Sequence, residues 1–405
     1  MASILLLMSF LINPLGALML FLLIFGKPSL HQKYVFFIGL LFGIIGYCMT
    51  PTREIDISRY WLQLDYIRDS AFSNAFNWNG DGLFIKNIFF WVISKANDNH
   101  LLPFFSMLIV YSSAGYIISK SVEGKENSFG LLLILELLLL PIYNIFSNVR
   151  NATSFAILSI AVFRDIYQNK RNCVTIMMYV IPCFIHMTGF VVVVFRLLTL
   201  FIKKIPHLGV WCMLGIPTAI MALAPRLRSI HLPGYIGLIF DRAVWKAYAS
   251  MAGTSDYAQR TQEHGSFIAN RALTFLFILA FYFLIQKYIE KNRNSRRETY
   301  AYYVEIVLMV TAIQCAMGVV KFWVFAYLMF IAAAPILSEY IVDSRHWKKQ
   351  YFFFTIIGIV AAVMLFLLQL RSIYKNVDIN SLMVNFMIDD YLVILFRMVK
   401  GFLYG

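Results

Sequence analysis

Apolar stretches of about twenty residues recur along this chain and constrain its fold more than any other feature. Hydrophobic residues make up 60% of the 405 positions and charged residues only 14%, whereas soluble domains are about half apolar and about a quarter charged. Such runs suit membrane-spanning α-helices, because membrane β-barrels use shorter strands of alternating polarity. The sequence therefore predicts an all-α polytopic membrane protein. It excludes disordered, disulfide-rich secreted and soluble nucleic-acid-binding classes.

The apolar stretches number twelve, and each is a candidate membrane span. Residues 83–95 are too few to cross a bilayer, so we expect a short amphipathic or re-entrant insert there. Residues 380–403 carry four charged side chains, so we expect an interfacial C-terminal segment over 371–405, with a thirteenth span as the alternative. The twelve spans cover about 3–25, 34–50, 101–119, 128–147, 148–163, 172–185, 187–202, 208–224, 266–286, 300–319, 323–342 and 351–370.

The short loops between these spans are basic, which sets the predicted orientation. Loops 164–171, 287–298 and 343–350 each hold at least three Lys or Arg, and the positive-inside rule places them in the cytoplasm. Twelve spans then leave both termini outside. The longer segments face outward as well: a first outer loop with its insert at 51–100, and a large outer loop at 225–265. Their aromatic content argues against disorder.

Residues 172–202 form a hairpin that is too short for two full crossings. About 31 residues leave and return to the cytoplasmic side, whereas two crossings need about 40. Its turn, PCFIHMTG, should therefore lie below the outer surface and open a recess outward. The turn holds His186, and an ionisable residue at membrane depth is a functional hypothesis by default. The alternative is that His186 only caps the turn by hydrogen bonding.

Arg150 lies at the outer end of the hairpin between the predicted spans 128–147 and 148–163. An arginine there can hold an anionic group through two hydrogen bonds. The alternative is a side chain that extends to the lipid phosphates. Glu136 and Lys321 also fall in or beside spans, and we expect each to pair inside the bundle.

Other chemistry-bearing patterns are missing from the sequence. The five cysteines include no CxxC pair, and the seven histidines are scattered. We expect the cysteines to be small core residues and predict no metal site. No Walker-type glycine loop occurs.

Three short motifs follow one another between about residues 50 and 200. Asp56-Ile-Ser-Arg59-Tyr60 lies in the first outer loop, NVRNATSFAI surrounds Arg150, and FIHMTGF surrounds His186. Their order resembles the EpsG-like branch of the Wzy polysaccharide polymerases. Those proteins show a D-x-x-x-Y pattern in the first outer loop, an outer-face arginine that opens a helix, and a hairpin turn with a similar histidine.

The resemblance implies a fold, an activity and a location. Such proteins are metal-independent membrane glycosyltransferases of the GT-C-like type, without a cofactor, in the bacterial cytoplasmic membrane with the active site facing the periplasm or outside. They join oligosaccharide repeat units carried on undecaprenyl pyrophosphate. A hydroxyl of the incoming unit attacks the anomeric carbon of the growing chain, and the pyrophosphate lipid leaves. The expected partners are the lipid-linked donor and acceptor, membrane lipid and a chain-length regulator protein, but no nucleic acid.

Residue chemistry suggests roles for this activity. Cationic side chains can replace a divalent metal at the leaving pyrophosphate, and a base must accept the proton of the attacking hydroxyl. We expect His186 to be the base or a phosphate ligand, with Asp56 as the competing base. The alternatives are arginines that face lipid headgroups and aromatic residues in an interfacial belt. The predicted pyrophosphate ligands are Arg59, Arg150, Arg242, Arg260 and Arg271, and the predicted sugar or lipid-substrate contacts are Tyr60, Tyr235, Trp245 and Tyr257.

Other functions share parts of this pattern. A flippase for lipid-linked oligosaccharide would also use cations and many spans, but the sequence shows no clear internal repeat. A ligase that transfers finished polymer to another acceptor has almost the same chemistry, and the sequence hardly separates it from a polymerase. An O-acetyltransferase would need a site near the cytoplasmic side, where the loops are short and basic.

Overall fold

The computed structural model describes residues 31–52, 55–76, 82–122, 132, 136–202, 265–293, 295–316, 323–342, 349–388 and 391–404. It is 87% helical, and its described residues form no strand. The prediction of an all-α protein is therefore confirmed. The predicted spans 3–25 and 208–224 lie outside the described residues.

The helices of the first half of the chain follow the apolar stretches and the first outer loop. The predicted insert at 83–95 is a separate helix, and two short helices precede it in the loop. In chain order the helices are α1 His31–Cys48, α2 Asp56–Arg68, α3 Phe72–Phe76, α4 Phe84–Lys95, α5 Leu101–Ser121, α6 Ile142–Ser147, α7 Val149–Val162 with a π-helical turn Phe163–Tyr167, α8 Cys173–Cys183 and α9 Thr188–Ile202.

The second half of the described chain contains four long helices and two short ones. The long helices match the predicted spans at 266–286, 300–319, 323–342 and 351–370, and the short ones lie in the predicted C-terminal segment. They are α10 Gly265–Lys291, α11 Arg296–Ala316, α12 Trp323–Val342, α13 Lys349–Asn376, α14 Ile379–Ile388 and α15 Tyr391–Tyr404.

Three described helical stretches are long and apolar enough to cross a membrane. They are Leu101–Ser121, Ile268–Lys291 and Ile356–Asn376. Shorter apolar helices include α8, whose 11 residues span about 16 Å at 1.5 Å per residue. The three long apolar stretches support membrane character for the chain. The number of twelve spans stays a prediction.

The predicted span 128–147 is not one continuous helix in its described part. The helical residues 136–139 end before Pro141, and α6 starts afresh at Ile142. Proline has no backbone N–H to continue the helical ladder, and it disfavours the helical conformation of the residue before it. The chain bends again at Asn148, where α7 begins.

The chain divides into two compact units. One consists of residues 1–194, 331–345 and 369–405, and the other of residues 195–330 and 346–368. In the first unit, α1 packs along α5 at close range. A Cβ on Gly46 would lie 2.9 Å from the carbonyl oxygen of Pro103. Glycine thus permits the close backbone approach that drives helix association in lipid.

The C-terminal segment is tied to the first outer loop within this unit. The Thr52 N–H donates to the Asn376 carbonyl, and the Asp378 N–H donates to the Thr50 carbonyl, each over 3.0 Å. These bonds join the end of α13 to the end of α1. The short helix α14 therefore starts beside the first outer loop.

In the second unit, α10 and α11 pack against each other. Gln286 Nε2 donates to Glu305 Oε1 over 2.9 Å, and the Phe277 ring meets Phe330 edge to face at 5.3 Å. The Glu305 carboxylate therefore has an amide partner in the helical core.

Candidate functional site

Arg150 and Tyr60, both predicted site residues, lie together in the first unit. Arg150 is the second residue of α7, and its guanidinium carbon lies 4.7 Å from the centroid of the Tyr60 ring. Tyr60 belongs to α2, and its ring meets Phe90 of α4 at 5.8 Å. A guanidinium over an aromatic face gains cation–π attraction, which strengthens when the pair is removed from water. The ring therefore fixes where the Arg150 charge lies.

Arg150 retains hydrogen-bonding capacity in this position. Its Nε atom is buried and has no hydrogen-bond partner among the described parts of the chain. A buried N–H without a partner costs free energy that an acceptor would recover. The start of a helix also carries positive partial charge. An anionic group is the acceptor that both features favour.

His186 is linked through Thr188 to Asn151, the residue that follows Arg150 on α7. Its Nδ1 atom lies 2.7 Å from the Thr188 hydroxyl oxygen, and that hydroxyl donates to Asn151 Oδ1 over 2.9 Å. Asn151 follows Arg150 on the first turn of α7. Two predicted residues, His186 and Arg150, are thus brought to one helix end through Asn151 and Thr188.

The Thr188 hydroxyl favours one of the two tautomers of the His186 imidazole. Its single proton goes to Asn151, so the 2.7 Å contact is a hydrogen bond when Nδ1 donates to Thr188 Oγ1. This tautomer leaves the lone pair on Nε2, as a general base requires. The Thr188 backbone N–H approaches Nδ1 at 3.2 Å, and that turn-capping bond belongs to the other tautomer. The geometry therefore accommodates both roles that the sequence allowed for His186.

The turn that carries His186 is held from two sides. Ser154 of α7 donates to the Pro182 carbonyl over 3.0 Å. On the other side, the Lys86 N–H donates to the Phe184 carbonyl over 3.1 Å, and the rings of Phe84 and Phe184 lie 4.5 Å apart. The predicted short turn is confirmed over residues 184–187. The insert helix α4 helps to position it.

Lys86 is a buried charge that the sequence reading did not select. Only 1% of it is exposed, although lysine is rarely buried unless its ammonium group is bound by other groups. Its neighbour Asn87 is also buried and donates from Nδ2 to the Phe76 carbonyl over 3.0 Å. The available signal was a Lys-Asn pair inside the apolar sequence FIKNIFF.

Asp56 and Arg59 form an ion pair at the start of α2. The Arg59 side chain is 73% exposed and that of Asp56 is 21% exposed. Both residues lie within one helical turn of Tyr60. The Asp56 carboxylate is thus engaged by Arg59 within the first turn of α2.

The Tyr60 phenol is kept neutral by its surroundings. Burial raises the pKa of Tyr60 above its usual value, the Arg150 charge opposes this, and the Asp56 charge adds to it. A neutral phenol can donate a hydrogen bond to a phosphate or sugar oxygen.

The other predicted ligands lie in the second unit or outside the described residues. Arg271 belongs to the second unit, where its Nε and Nη2 atoms donate to the Cys315 carbonyl over 2.8 and 2.5 Å. Among the described residues, no group of three or more His, Cys, Asp or Glu could hold a metal ion. The remaining predictions lie outside the described residues: Arg242, Arg260, Tyr235, Trp245 and Tyr257.

Comparison with protein-family models, curated proteins and solved structures finds no match to this chain.

Proposed function

We propose that this protein is a membrane glycosyltransferase that polymerises oligosaccharide repeat units carried on undecaprenyl pyrophosphate. The buried, unpartnered Nε–H of Arg150, held over the Tyr60 ring at the start of α7, carries the proposal. This donor suits the anionic oxygens that develop on a departing pyrophosphate. The motifs around Asp56, Arg150 and His186 add the resemblance to the Wzy polymerases.

The proposed reaction transfers the growing chain from its lipid carrier to the incoming unit. The acceptor sugar hydroxyl oxygen forms a bond to the anomeric carbon, and the bond from that carbon to the pyrophosphate oxygen breaks. The hydroxyl proton passes to His186 through Nε2, with Asp56 as the alternative base. Undecaprenyl pyrophosphate leaves with the electron pair, and Arg150 stabilises its charge without a metal or other cofactor.

The proposed setting follows from the loop charges and the family resemblance. The protein would be a GT-C-like enzyme of about twelve spans in the bacterial cytoplasmic membrane. Its site would face the periplasm or outside, where lipid-linked units accumulate. Arg59, Arg242 and Arg260 would add to the pyrophosphate contacts, while Tyr60, Tyr235, Trp245 and Tyr257 would contact sugar or lipid. A chain-length regulator remains a proposed partner.

Reconstitution of the full chain in liposomes tests the activity. The assay supplies a lipid-linked repeat unit with EDTA, and products are separated by length on a gel. We expect a ladder of polymer lengths, which Arg150→Gln should abolish. The control Arg371→Gln removes a charge from an exposed site on α13 and should preserve the ladder. Movement of the unit across the bilayer without a ladder would show a flippase. One-step transfer to an added non-repeat acceptor would show a ligase.

A further inference from the structure

A cavity of about 430 Å³ lies in the first unit and shares no lining residue with the Arg150 cluster. Its volume falls in the range of about 300–1,000 Å³ typical of ligand clefts. Three parts of the chain line it: the end of α1, the turn between α4 and α5, and α15. The side chains that give it its chemistry are Tyr47, Asp98, His100, Arg397 and Lys400.

The acidic residue of this cavity is engaged by the protein itself. The Tyr47 hydroxyl donates to Asp98 Oδ2 over 2.6 Å, and the His100 backbone N–H donates to Asp98 Oδ1 over 3.0 Å. His100 Nδ1 donates to the Tyr47 carbonyl over 2.7 Å. Both carboxylate oxygens thus accept hydrogen bonds from the cavity wall, which holds the wall in one arrangement.

The cations of the cavity both come from α15. Arg397 Nη1 donates to the Tyr47 hydroxyl over 3.2 Å, which directs the guanidinium to the cavity wall. Lys400 follows three residues later and also lines the cavity. Two cations against the single carboxylate of Asp98 give the lining a net positive charge. An anionic group with several acceptor oxygens suits it better than a neutral sugar.

The remaining faces of α15 indicate where such an anion comes from. On one face, Gly401 lies so close to the Ala96 carbonyl that a Cβ would overlap it. The opposite face is an exposed apolar stripe at spacings of three and four residues. Lys400 borders this stripe, and Arg397 lies farther round on the same side of the helix. An apolar stripe bordered by a cation suits a helix that lies in a membrane surface. The stripe consists of Leu392, Phe396, Val399 and Leu403.

We propose that this cavity binds a phosphate ester group through Arg397 and Lys400, with the Tyr47 hydroxyl positioning the guanidinium. The exposed apolar stripe on the helix that carries both cations favours a membrane-lipid headgroup as the source of the phosphate. This site does not depend on the proposed polymerase activity.

Lipid binding by the delipidated full chain tests the site. The protein is purified in a sugar-headgroup detergent that contains no phosphate, and dioleoylphosphatidylglycerol is titrated in with native mass spectrometry as the readout. We expect the double variant R397Q/K400Q to need at least about tenfold more lipid for half occupancy. The matched control is R371Q/K375Q, which removes two exposed cations from the end of α13 and should shift binding less than about twofold.

Further arms identify the source and test the geometry. Diacylglycerol, which lacks phosphate, should not bind at this site. If glycerol phosphate saturates the site and no lipid binds, the ligand is still a phosphate ester but comes from a soluble molecule. Equal weakening by the two double variants, or none by R397Q/K400Q, would overturn the site. Tyr47→Phe removes the hydroxyl that positions Arg397 but keeps every charge, so it should weaken lipid binding severalfold. This variant tests the site even if the double variant does not fold. Wild-type binding by Tyr47→Phe would overturn the positioning role.

Discussion

The guanidinium of Arg150 lies over the aromatic face of Tyr60, with 4.7 Å between its central carbon and the ring centroid. This contact joins the first outer loop to the start of α7, although the two residues are far apart in the sequence. It places an arginine with a buried, unpartnered Nε–H beside a helix terminus, where an anion is favoured.

The aromatic ring of Tyr60, more than its hydroxyl, should position Arg150. Tyr60→Phe keeps the ring and should retain at least about half of the polymerisation kcat/KM. Tyr60→Leu removes the cation–π contact, worth up to about 2 kcal/mol when desolvated, and should lower kcat/KM by about tenfold. Tyr66→Leu is the control, because Tyr66 lies on the same helix and is 70% exposed. Wild-type kinetics for Tyr60→Leu would show that the Tyr60 ring does not position Arg150.

Thr188 should act as a positioning residue for His186. Thr188→Val removes the acceptor for the Nδ1 proton and should lower kcat by about tenfold to a hundredfold with little change in KM, whereas Thr188→Ser should restore it. The control is Thr153→Val, which removes a hydroxyl bonded to Ser106 over 3.1 Å elsewhere on α7. Equal kinetics for Thr188→Val and Thr188→Ser would contradict this role. A loss of thermal stability in Thr188→Val as large as its loss of kcat would show that the residue has a structural role instead.

The phenol of Tyr60 should ionise above its usual range. Burial raises its pKa, so the folded chain binds this proton more tightly than the unfolded chain. Stability should therefore fall as pH rises from about 10, the pKa of an unfolded tyrosine, through the higher folded value. The measurement is tyrosinate absorbance against pH for the wild type minus Tyr60→Phe. A difference that titrates at or below pH 10 would contradict the burial described here.

Two helical glycines should respond to alanine with opposite signs. Gly46→Ala forces a Cβ against the Pro103 carbonyl at 2.9 Å and should lower the free energy of unfolding by about 1–3 kcal/mol. On Gly358, a Cβ would meet only Ala280, at 3.9 Å, so alanine there should raise stability by about 0.5–1 kcal/mol. Thermal unfolding in one detergent compares them. Unchanged or higher stability for Gly46→Ala would contradict the close packing of α1 on α5, and a loss of stability for Gly358→Ala would contradict the space at that position.

Much of the helical arrangement could be predicted, because long apolar runs leave few alternatives in a membrane. The bounds of α12 coincide with the predicted 323–342, and the turn between α8 and α9 falls between Pro182 and Gly189. The predicted span 128–147 is interrupted in the structure, because Pro141 ends the helical ladder before α6 begins. Proline alone explains the interruption, but it is easily overlooked because the residues around Pro141 are apolar.

The contacts of the candidate site could be predicted only as a list of residue types. Nothing local indicates that Tyr60 lies under Arg150, or that Thr188 links His186 to Asn151. Such contacts depend on tertiary packing between distant segments. Lys86 was missed for the same reason, since a lysine in an apolar helix is usually read as reaching the surface. The family resemblance drew attention to the motifs, and the packing of α2, α4 and α7 supplies their geometry.

The release of undecaprenyl pyrophosphate shows directly whether the protein forms glycosidic bonds at the expense of the lipid carrier. Purified full-length protein is supplied with lipid-linked repeat units in EDTA, and both glycosidic bonds and free carrier are counted over time. We expect one carrier to be released for each bond formed, with both lost together in Arg150→Gln and kept in Arg371→Gln. Bond formation that needs a divalent metal, or no carrier release while lipid-linked units cross the bilayer, would contradict it.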